Sequence, residues 1–245
     1  MHTTERQDRI LSIIKENIYI SVSELAKLTF TSPSSIRRDL TYLQNNGLVQ
    51  RSHGGVSLPE AVSGVASFAN RKAKNTREKR LIAKKAATLL QEGQTILLDG
   101  SSTAIYLLPH IAKFSTIKVY TNNLSTAMEA IELGIDTNCM GGHSISGSLV
   151  LTGPDTCRVI EGLNADICFF SSKSLGQDGC ISDPNLEENY IRQLMLSRVK
   201  QSVFLCDSSK FDKQSLYHLA PLDQVSVSIF DIPYPQLSCR SPVML

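Results

Sequence analysis

The stretch Ser32-Pro33-Ser34-Ser35-Ile36-Arg37-Arg38-Asp39-Leu40 decides the fold of the amino-terminal part of this 245-residue chain. Ser32 is a residue type that caps helices, and Pro33 suits the first helical position, where a missing N–H loses no hydrogen bond. Ile36, Leu40 and Leu43 recur at helical spacing and share one narrow face. The pattern predicts an amphipathic helix that ends at Asn46-Gly47. Its outer face is polar and cationic and consists of Ser34, Arg38, Thr41 and Asn45, with Ser35, Arg37 and Tyr42 at its borders.

Two further helices are predicted before this one. Residues 21–28 form a short amphipathic segment, and the tight turn Thr29-Phe30-Thr31 joins it to the next helix at helix-turn-helix spacing. Residues 6–15 carry isoleucines at helical intervals and are expected to form a supporting helix.

A small β-hairpin is predicted after these helices. Residues 48–51 and 56–58 flank Ser52-His53-Gly54-Gly55, which would form a flexible, basic tip. Three helices followed by such a hairpin make a winged helix-turn-helix, a fold that binds double-stranded DNA. A cationic helix face is also the ordinary solvated face of a surface helix, so the combination of spacing and hairpin is what favours DNA.

The predicted DNA contacts divide between the helix and the wing. The outer face of the helix would read base edges in the major groove, with Arg37 placed at the border for phosphate, while the wing would lie against the backbone. One winged helix buries too little surface for tight specific binding, so we expect a homo-oligomer on repeated half-sites. The predicted DNA-binding residues are Ser34, Ser35, Arg37, Arg38, Thr41, Arg51 and His53.

Chain length and charge indicate two domains. A winged helix accounts for residues 1–58, and the remainder of the chain is long enough for a second core. Residues 1–85 contain 15 Lys and Arg against 7 Asp and Glu, whereas residues 86–245 contain 10 against 16. Only the basic amino-terminal part of the chain is therefore expected to contact DNA. We expect a linker over 59–75, a larger domain over 76–232 and a loosely attached tail over 233–245.

A helix is predicted at the start of the larger domain, over residues 76–91. Its basic beginning either lies against DNA phosphates or is an ordinary solvated helix end. Its apolar face is predicted to comprise Leu81, Ile82, Ala86, Leu89 and Leu90.

Several classes of protein are excluded by the composition. No stretch is long and apolar enough to cross a bilayer, and the amino terminus lacks an apolar secretory core, so we expect a soluble, cytoplasmic protein without a membrane partner. The six cysteines show no close paired spacing, and several lie in apolar runs. They are predicted to be buried thiols, with no disulfide, metal or other cofactor.

The larger domain alternates short β-branched runs with helical patterns, which predicts a mainly parallel sheet covered by helices, a Rossmann-like α/β fold. Small, hydroxyl and amide residues follow the strands. The predicted strands span residues 95–98, 117–120, 137–140, 167–170, 202–205 and 225–230.

Loops at the carboxyl ends of such strands converge on a crevice where ligands bind. Glycines would let a ligand approach the backbone, hydroxyls would donate to an anion, and Lys173 or Lys210 would supply the counter-charge. The same residues have an ordinary explanation, because glycine, serine and asparagine are common in the turns of any α/β fold. A lone lysine is more often solvated than bound to a ligand. The pattern favours a small phosphorylated polyol, and the candidate effector-binding residues are Asp99, Gly100, Ser101, Ser102, Thr103, Thr121, Asn122, Gly141, Gly142, Lys173 and Lys210.

The residues 35–40, Ser-Ile-Arg-Arg-Asp-Leu, followed by Arg51-Ser52-His53-Gly54-Gly55, resemble the amino-terminal domain of DeoR-type bacterial transcriptional regulators. Ser35 stands where the family usually has threonine, and Thr31-Ser32 where it usually has Val-Ser. The resemblance continues over nearly the whole chain and includes Asp99–Thr103, Thr121-Asn122, Gly141-Gly142, Gly153, Asp166 and Asp207-x-Ser-Lys210.

This second set of motifs is similar to the sensor domain of the family, whose fold is shared with ribose-5-phosphate isomerase and glucosamine-6-phosphate deaminase. The resemblance implies that residues 100–103 hold a phosphate, that Asp99 and Asn122 meet sugar hydroxyls, and that Lys210 contacts the ligand. Ser101 departs from the family, which has glycine there, as do Ser171 and Ser174 in the fourth-strand loop. A Cβ in such a loop narrows the approach to the backbone.

The resemblance implies a repressor of a carbohydrate-metabolism operon whose affinity for DNA is modulated by a phosphorylated sugar. The alternative is a sugar-phosphate isomerase or deaminase with an appended DNA-binding domain, and a third option is an architectural DNA binder without a ligand. Acid–base groups for catalysis could come from Asp99, Glu187, Glu188, Asp207 and Lys210. No two opposed catalytic groups are fixed by the sequence, so we predict that the chain is not an enzyme.

Overall fold

The computed structural model describes residues 3–17, 19–46, 48–52, 55–57, 68–144 and 148–237. The chain divides into two compact units. The first comprises Met1–Arg71 with Ser146–Ser148, and the second comprises Lys72–Ile145 with Leu149–Leu245.

The first unit contains the predicted helices and hairpin. Its three strands form an antiparallel sheet in the order β1-β3-β2, which confirms the winged helix-turn-helix. The elements are α1 (Thr3–Glu16), β1 (Ile20–Ser21), α2 (Val22–Leu28), α3 (Pro33–Asn45), β2 (Gln50–Ser52) and β3 (Gly55–Ser57).

Local side-chain chemistry sets the helix starts in this unit. The Ser21 hydroxyl accepts from the backbone N–H of Glu24, whose carboxylate accepts in return from the Ser21 N–H, so a capping box opens α2. Ser32 caps α3 by accepting from the Ser35 N–H, with Pro33 at the first helical position. The helices then enclose a core that includes the fully buried Ile10, Ile14, Leu25, Ile36 and Leu40.

Part of the predicted linker is helical. Residues 68–73 form α4, while residues 58–67 lie outside the described ranges. The helix predicted over 76–91 is shorter than expected, because α5 spans Thr76–Ala86 and a 3₁₀ turn follows at Ala87–Leu89. Leu81 was assigned wrongly to the apolar face, since its side chain is 42% exposed.

The second unit contains most of the remaining elements. Its helices are α6 (Leu108–Ile111), α7 (Leu124–Glu132), α8 (Pro154–Glu161) and α9 (Leu186–Ser197). Its strands are β4 (Thr95–Leu98), β5 (Lys118–Thr121), β6 (Asp136–Cys139), β7 (His143–Ser144), β8 (Leu151–Thr152), β9 (Ala165–Phe170), β10 (Ser174–Leu175), β11 (Cys180–Asp183), β12 (Val199–Cys206), β13 (Tyr217–Pro221) and β14 (Val227–Phe230).

A six-stranded sheet organises this unit, in the order β14-β12-β9-β4-β5-β6, and every adjacent pair is parallel. The six predicted strands correspond to these six, which confirms the Rossmann-like α/β class. Within the sheet the chain begins at the central β4, runs outward through β5 and β6, and returns to the other side at β9. The switch point between β4 and β9 is the place where such sheets bind ligands.

Two expectations about the end of the chain and its cysteines need correction. Tyr234 is 3% exposed, and its ring stacks on Phe211 at a centroid distance of 4.1 Å, so residues 233–237 pack against the sheet unit rather than hang loosely. Residues 238–245 lie outside the described ranges. Cys168 and Cys206 are buried as expected, but Cys139 is exposed at the end of the edge strand β6.

Within the described ranges, none of the helices combines the length and apolar character that a bilayer crossing requires. The same part of the chain has no group of three His, Cys, Asp or Glu side chains placed to hold a metal ion.

Candidate functional site

The outer face of α3 carries the predicted DNA-reading side chains. Ile36, Leu40 and Leu43 are buried against the first unit's core, and the residues between them turn outward. Ser34, Arg37, Arg38 and Thr41 are exposed, and Ser35 is half-buried because its hydroxyl and N–H take part in the Ser32 cap.

The wing is tied to α3 by one side-chain contact. Arg51, on β2, donates from Nη1 to Thr41 Oγ1 at 3.0 Å, and Thr41 donates to the Arg37 carbonyl at 2.8 Å. Arg51 therefore links the wing to the recognition helix, which keeps cations of both elements on one surface. His53, also predicted to contact DNA, lies outside the described residues.

A partly buried ion pair holds α3 on α1. Arg6 Nε lies 2.6 Å from Asp39 Oδ2, and Nη2 lies 3.0 Å from Oδ1. The hydrogen bonds to Asp39 raise the pKa of Arg6, against the opposing effect of desolvation. Asp39 was not among the predicted functional residues. Its pairing removes a negative charge from beside Arg38, so the face turned to solvent stays cationic.

The predicted effector residues begin at the switch point of the sheet, in the loop after β4. Ser102 Oγ accepts a hydrogen bond from Lys79 Nζ at 3.2 Å, and Thr103 Oγ1 lies 3.5 Å from Lys210 Nζ. Lys210 also donates to Ser171 Oγ at 2.6 Å, in the loop after β9. The structure therefore brings Ser102, Thr103 and Lys210 together as predicted, and it adds Lys79 and Ser171.

The loop after β12 sets the charge of this cluster. The Asp207 carboxylate lies 3.5 Å from Lys210 Nζ and accepts from Asn75 Nδ2 at 2.9 Å and from the Ser209 hydroxyl. Burial alone would raise the pKa of Asp207, but Lys210 and the two hydrogen bonds outweigh it, so its pKa is lowered. Asp207 therefore stays ionised and forms an ion pair with Lys210.

Asp99 was expected to bind sugar hydroxyls, but its partners are groups of the protein itself. It is fully buried, and its Oδ2 lies 2.9 Å from Arg192 Nε, on α9. The N–H groups of Ser101 and Ser171 also donate to its two carboxylate oxygens. Asp99 therefore holds the loops after β4 and β9 in place.

Arg192 was missed by sequence reasoning. Its side chain is 7% exposed and contacts Asp183 and Glu188 as well as Asp99. Burial works to lower the pKa of Arg192, and the three carboxylates outweigh it and raise the pKa. The guanidinium is therefore permanently charged and locks α9 to the strand ends.

The loop after β5 offers a free acceptor. Asn122 is 2% exposed and donates from Nδ2 to the Leu151 carbonyl at 2.9 Å. Its Oδ1 is buried and has no hydrogen-bond partner among the residues that the structure describes. The neighbouring Thr121 is also buried, and its hydroxyl accepts from the Asn123 N–H.

The remaining predicted residues are Gly100, Gly141, Gly142 and Lys173. A Cβ at Gly100 would lie 2.6 Å from a methyl group of Val150, so packing against that side chain requires glycine there. Gly141 and Gly142 are exposed and have positive φ angles of 68° and 114°. Lys173 is exposed, and its backbone N–H donates to Asp183 Oδ2 at 3.0 Å.

A separate open cavity of about 330 Å³ lies beside the β10–β11 turn. Two carboxylates and one ammonium give its lining a net negative charge, which disfavours a phosphate group. None of the predicted effector residues lines it. The lining residues are Gly176, Gln177, Asp178, Asp212, Lys213 and Gln214.

Comparison with known proteins matches both units. Residues 6–62 match the family model of the DeoR-like helix-turn-helix domain, and residues 74–232 match that of the DeoR C-terminal sensor domain. The chain is 34% identical over 232 residues to the HTH-type transcriptional regulator GolR of Listeria innocua, covering 94% of this chain and 91% of the relative. It is 27% identical over 236 residues to the glycerol-3-phosphate regulon repressor of Escherichia coli K12, covering 96% and 93%.

Solved structures also match the chain at low sequence identity. Chaetomium thermophilum eIF2B delta is 14% identical, with a TM-score of 0.50 over 83% of this chain and 65% of that chain. Ribose 5-phosphate isomerase from Plasmodium falciparum is 21% identical, with a TM-score of 0.40 over 54% of this chain and 52% of the isomerase. The family resemblance is confirmed by both domain models and by the full-length relatives: the chain belongs to the DeoR family of DNA-binding transcriptional regulators.

Proposed function

We propose that this regulator represses a carbohydrate-metabolism operon and that a phosphorylated sugar, bound at the crevice between β4 and β9, modulates its grip on the operator. The observation that carries the proposal is the convergence of Lys79 and Lys210 on the hydroxyls of Ser102 and Thr103. The names of the relatives support it, because one of them is a repressor of a glycerol-3-phosphate regulon.

The lysine cluster suits a phosphate ester. Lys79 is 4% exposed and the side chain of Lys210 is 16% exposed, so a phosphate here would be largely shielded from water. Charge-assisted hydrogen bonds of this kind are about twice as strong as neutral ones. The two lysines that lie at the hydroxyls of the loop after β4 favour an anionic ligand over a neutral sugar.

Asn122 suits the sugar portion of the same ligand. A buried oxygen acceptor without a partner costs about 1 to 3 kcal/mol, and a sugar hydroxyl that donates to it would recover that cost. Asn122 Oδ1 is such an acceptor among the described residues, and Asn122 directly follows β5, the neighbour of β4. The proposed effector therefore carries a phosphate at one end and free hydroxyls at the other.

The DNA-binding half of the proposal rests on the cationic face of α3 and the wing. Arg38 and the short side chains beside it are exposed and would contact base edges, and Arg37 is exposed and would contact a phosphate. Two or more copies of the chain would bind repeated half-sites, because a single winged helix buries too little surface. The protein would act in the cytoplasm, where the operator is.

We also propose that the chain binds its sugar phosphate without converting it. A general base must reach a substrate proton within about 3 Å, with its carboxylate free to accept it. Asp99 is occupied by Arg192 and two backbone N–H groups, and Asp207 by Lys210 and Asn75. Both carboxylates position the loops rather than face a ligand.

The test begins with a panel of phosphorylated sugars and polyols, each paired with its unphosphorylated form, in a thermal-shift assay. We expect one or more phosphorylated members to raise the unfolding temperature and their unphosphorylated partners to have no effect. A duplex selected from a random library by the purified chain then reports whether that ligand changes DNA binding. Turnover of the ligand would refute the non-catalytic role, and the absence of any stabilising phosphate ester would refute the sensor role.

A further inference from the structure

The segment that opens the second unit and runs into α5 carries a concentration of positive charge, of which the effector cluster includes only Lys79. Residues 72–85 contain 7 Lys and Arg and one acidic residue, Glu78, whereas residues 86–245 carry 10 Lys and Arg against 16 Asp and Glu. The rest of the unit would therefore repel a polyanion, and this segment would attract one.

Three of these seven cations have partners inside the unit. Lys79 contacts Ser102, Lys85 donates to the Phe230 carbonyl at 2.6 Å, and Lys72 forms an ion pair with Glu129. The four that remain exposed are Lys74, Arg77, Arg80 and Lys84. None of these four forms an ion pair with another residue of the described ranges.

Helix geometry aligns three of the exposed cations. At about 100° per residue, Arg77, Arg80 and Lys84 fall within an arc of about 60° on α5. They extend over about 10 Å, which spans roughly three phosphates along one DNA strand. We call these three residues the α5 basic stripe.

We propose that the α5 basic stripe is a second DNA-contacting surface, which binds the phosphate backbone of duplex DNA in addition to the base contacts of α3. Charge complementarity carries the proposal, because the stripe is a cationic row without ion-pair partners in the described part of an otherwise acidic unit. Arg77 follows Arg71, the last residue of the first unit's main segment, by six residues, so the chain alone keeps it within about 20 Å of that residue.

The experiment measures binding of the full chain to a labelled random-sequence duplex of about forty base pairs over a range of salt concentrations. The variant Arg77→Gln/Arg80→Gln should bind more weakly at low salt. The slope of log affinity against log salt should fall by about 1 to 2, because each neutralised phosphate contributes about 0.9 to that slope. Glutamine is a good helix former, so α5 should keep its structure.

Two matched variants separate the stripe from net charge. Lys113→Gln/Lys118→Gln removes the same charge from other exposed positions of the unit, and it should leave the slope unchanged. Arg77→Lys/Arg80→Lys keeps the charge and should also bind like the wild type. The proposal is overturned if the glutamine variant keeps the wild-type slope, or if the Lys113/Lys118 variant lowers it equally. A wild-type chain that does not bind the random-sequence duplex even at low salt overturns this proposal, whereas the proposed function is tested separately with the selected duplex.

Discussion

Lys79 gives the sharpest test of the effector crevice, because sequence reasoning did not predict it and its ammonium group lies against the candidate phosphate-binding loop. The residue is 4% exposed, and its Nζ is 3.2 Å from Ser102 Oγ. We expect Lys79→Met, which keeps the length and removes the charge, to abolish most of the phosphate affinity.

The magnitude follows from the interaction that this substitution removes. A hydrogen bond to a charged group contributes about 1.5 to 3 kcal/mol, and the shielding of this site from water places Lys79 in the upper half of that range. At about 1.4 kcal/mol for each factor of ten, a loss of about 2 to 3 kcal/mol weakens binding about 30- to 150-fold.

Isothermal titration calorimetry measures this loss with the phosphorylated sugar that gives the largest thermal shift. Lys113→Met serves as the control, because Lys113 is exposed and lies away from the loop in sequence. An affinity of the Lys79 variant within about threefold of the wild type, with an unchanged circular dichroism spectrum, would refute the assignment of Lys79 to the phosphate site.

Three further predictions concern the other charged groups. Arg38→Ala should weaken operator binding by about 1 to 3 kcal/mol in a gel-shift titration, and unchanged affinity would remove Arg38 from the base-reading face. Arg192→Met should destabilise the second unit by about 3 to 5 kcal/mol in urea unfolding, since it leaves Asp99 buried without its cation; a loss below about 1 kcal/mol would contradict that role. The pKa of Asp207 is lower in the folded chain than in the unfolded chain, so the Asp207 carboxylate stabilises the fold. This contribution is fully present above the ordinary pKa of about 4 and is lost as pH falls through the lower, folded pKa. Asp207→Asn should therefore flatten the acid side of the stability profile, and an unchanged profile would show that Asp207 is not the titrating group.

The sequence predicted the architecture well where local chemistry and periodicity agree. The cap at Ser32, the spacing of Ile36 and Leu40, and the β-branched runs of the parallel strands are local signals, and the structure confirms the elements they indicate. Hydroxyl residues after β4 lie at the carboxyl edge of the sheet, because parallel strands bring their carboxyl ends to one place. Their role in binding an effector stays a prediction.

The missed residues share a feature that the sequence does display. Asp39, Lys79 and Arg192 each occupy a position in the buried stripe of a helix, where an apolar residue is expected. Burying a charge there is costly unless a partner offsets it, so each one implies a contact at long sequence distance. Asp39 pairs with Arg6, Lys79 contacts Ser102, and Arg192 pairs with Asp99.

The sequence could not identify those partners, because periodicity within one helix carries no information about what packs against it. Tyr234 is a second case in which the sequence pattern did not reveal a packing contact. Three prolines and no periodicity predicted a loose tail, yet the Tyr234 ring stacks on Phe211 and its hydroxyl donates to Asp212 at 2.8 Å. A single aromatic side chain with a polar tip can anchor an irregular segment without leaving a periodic signal.

Helix α5 carries residues of both proposed binding sites, the one for the sugar phosphate and the one for the DNA backbone. Lys79 extends from its buried face to the candidate phosphate-binding loop, and the α5 basic stripe lies on its exposed face. If a sugar phosphate binds Lys79 and DNA phosphates bind the stripe, any arrangement of α5 that one ligand prefers alters the affinity for the other by a reciprocal factor. Removal of the stripe should then reduce the effect of the effector on DNA binding while leaving effector affinity in the absence of DNA unchanged. An effector response that survives Arg77→Gln/Arg80→Gln at full size would place the coupling between the two ligands outside α5.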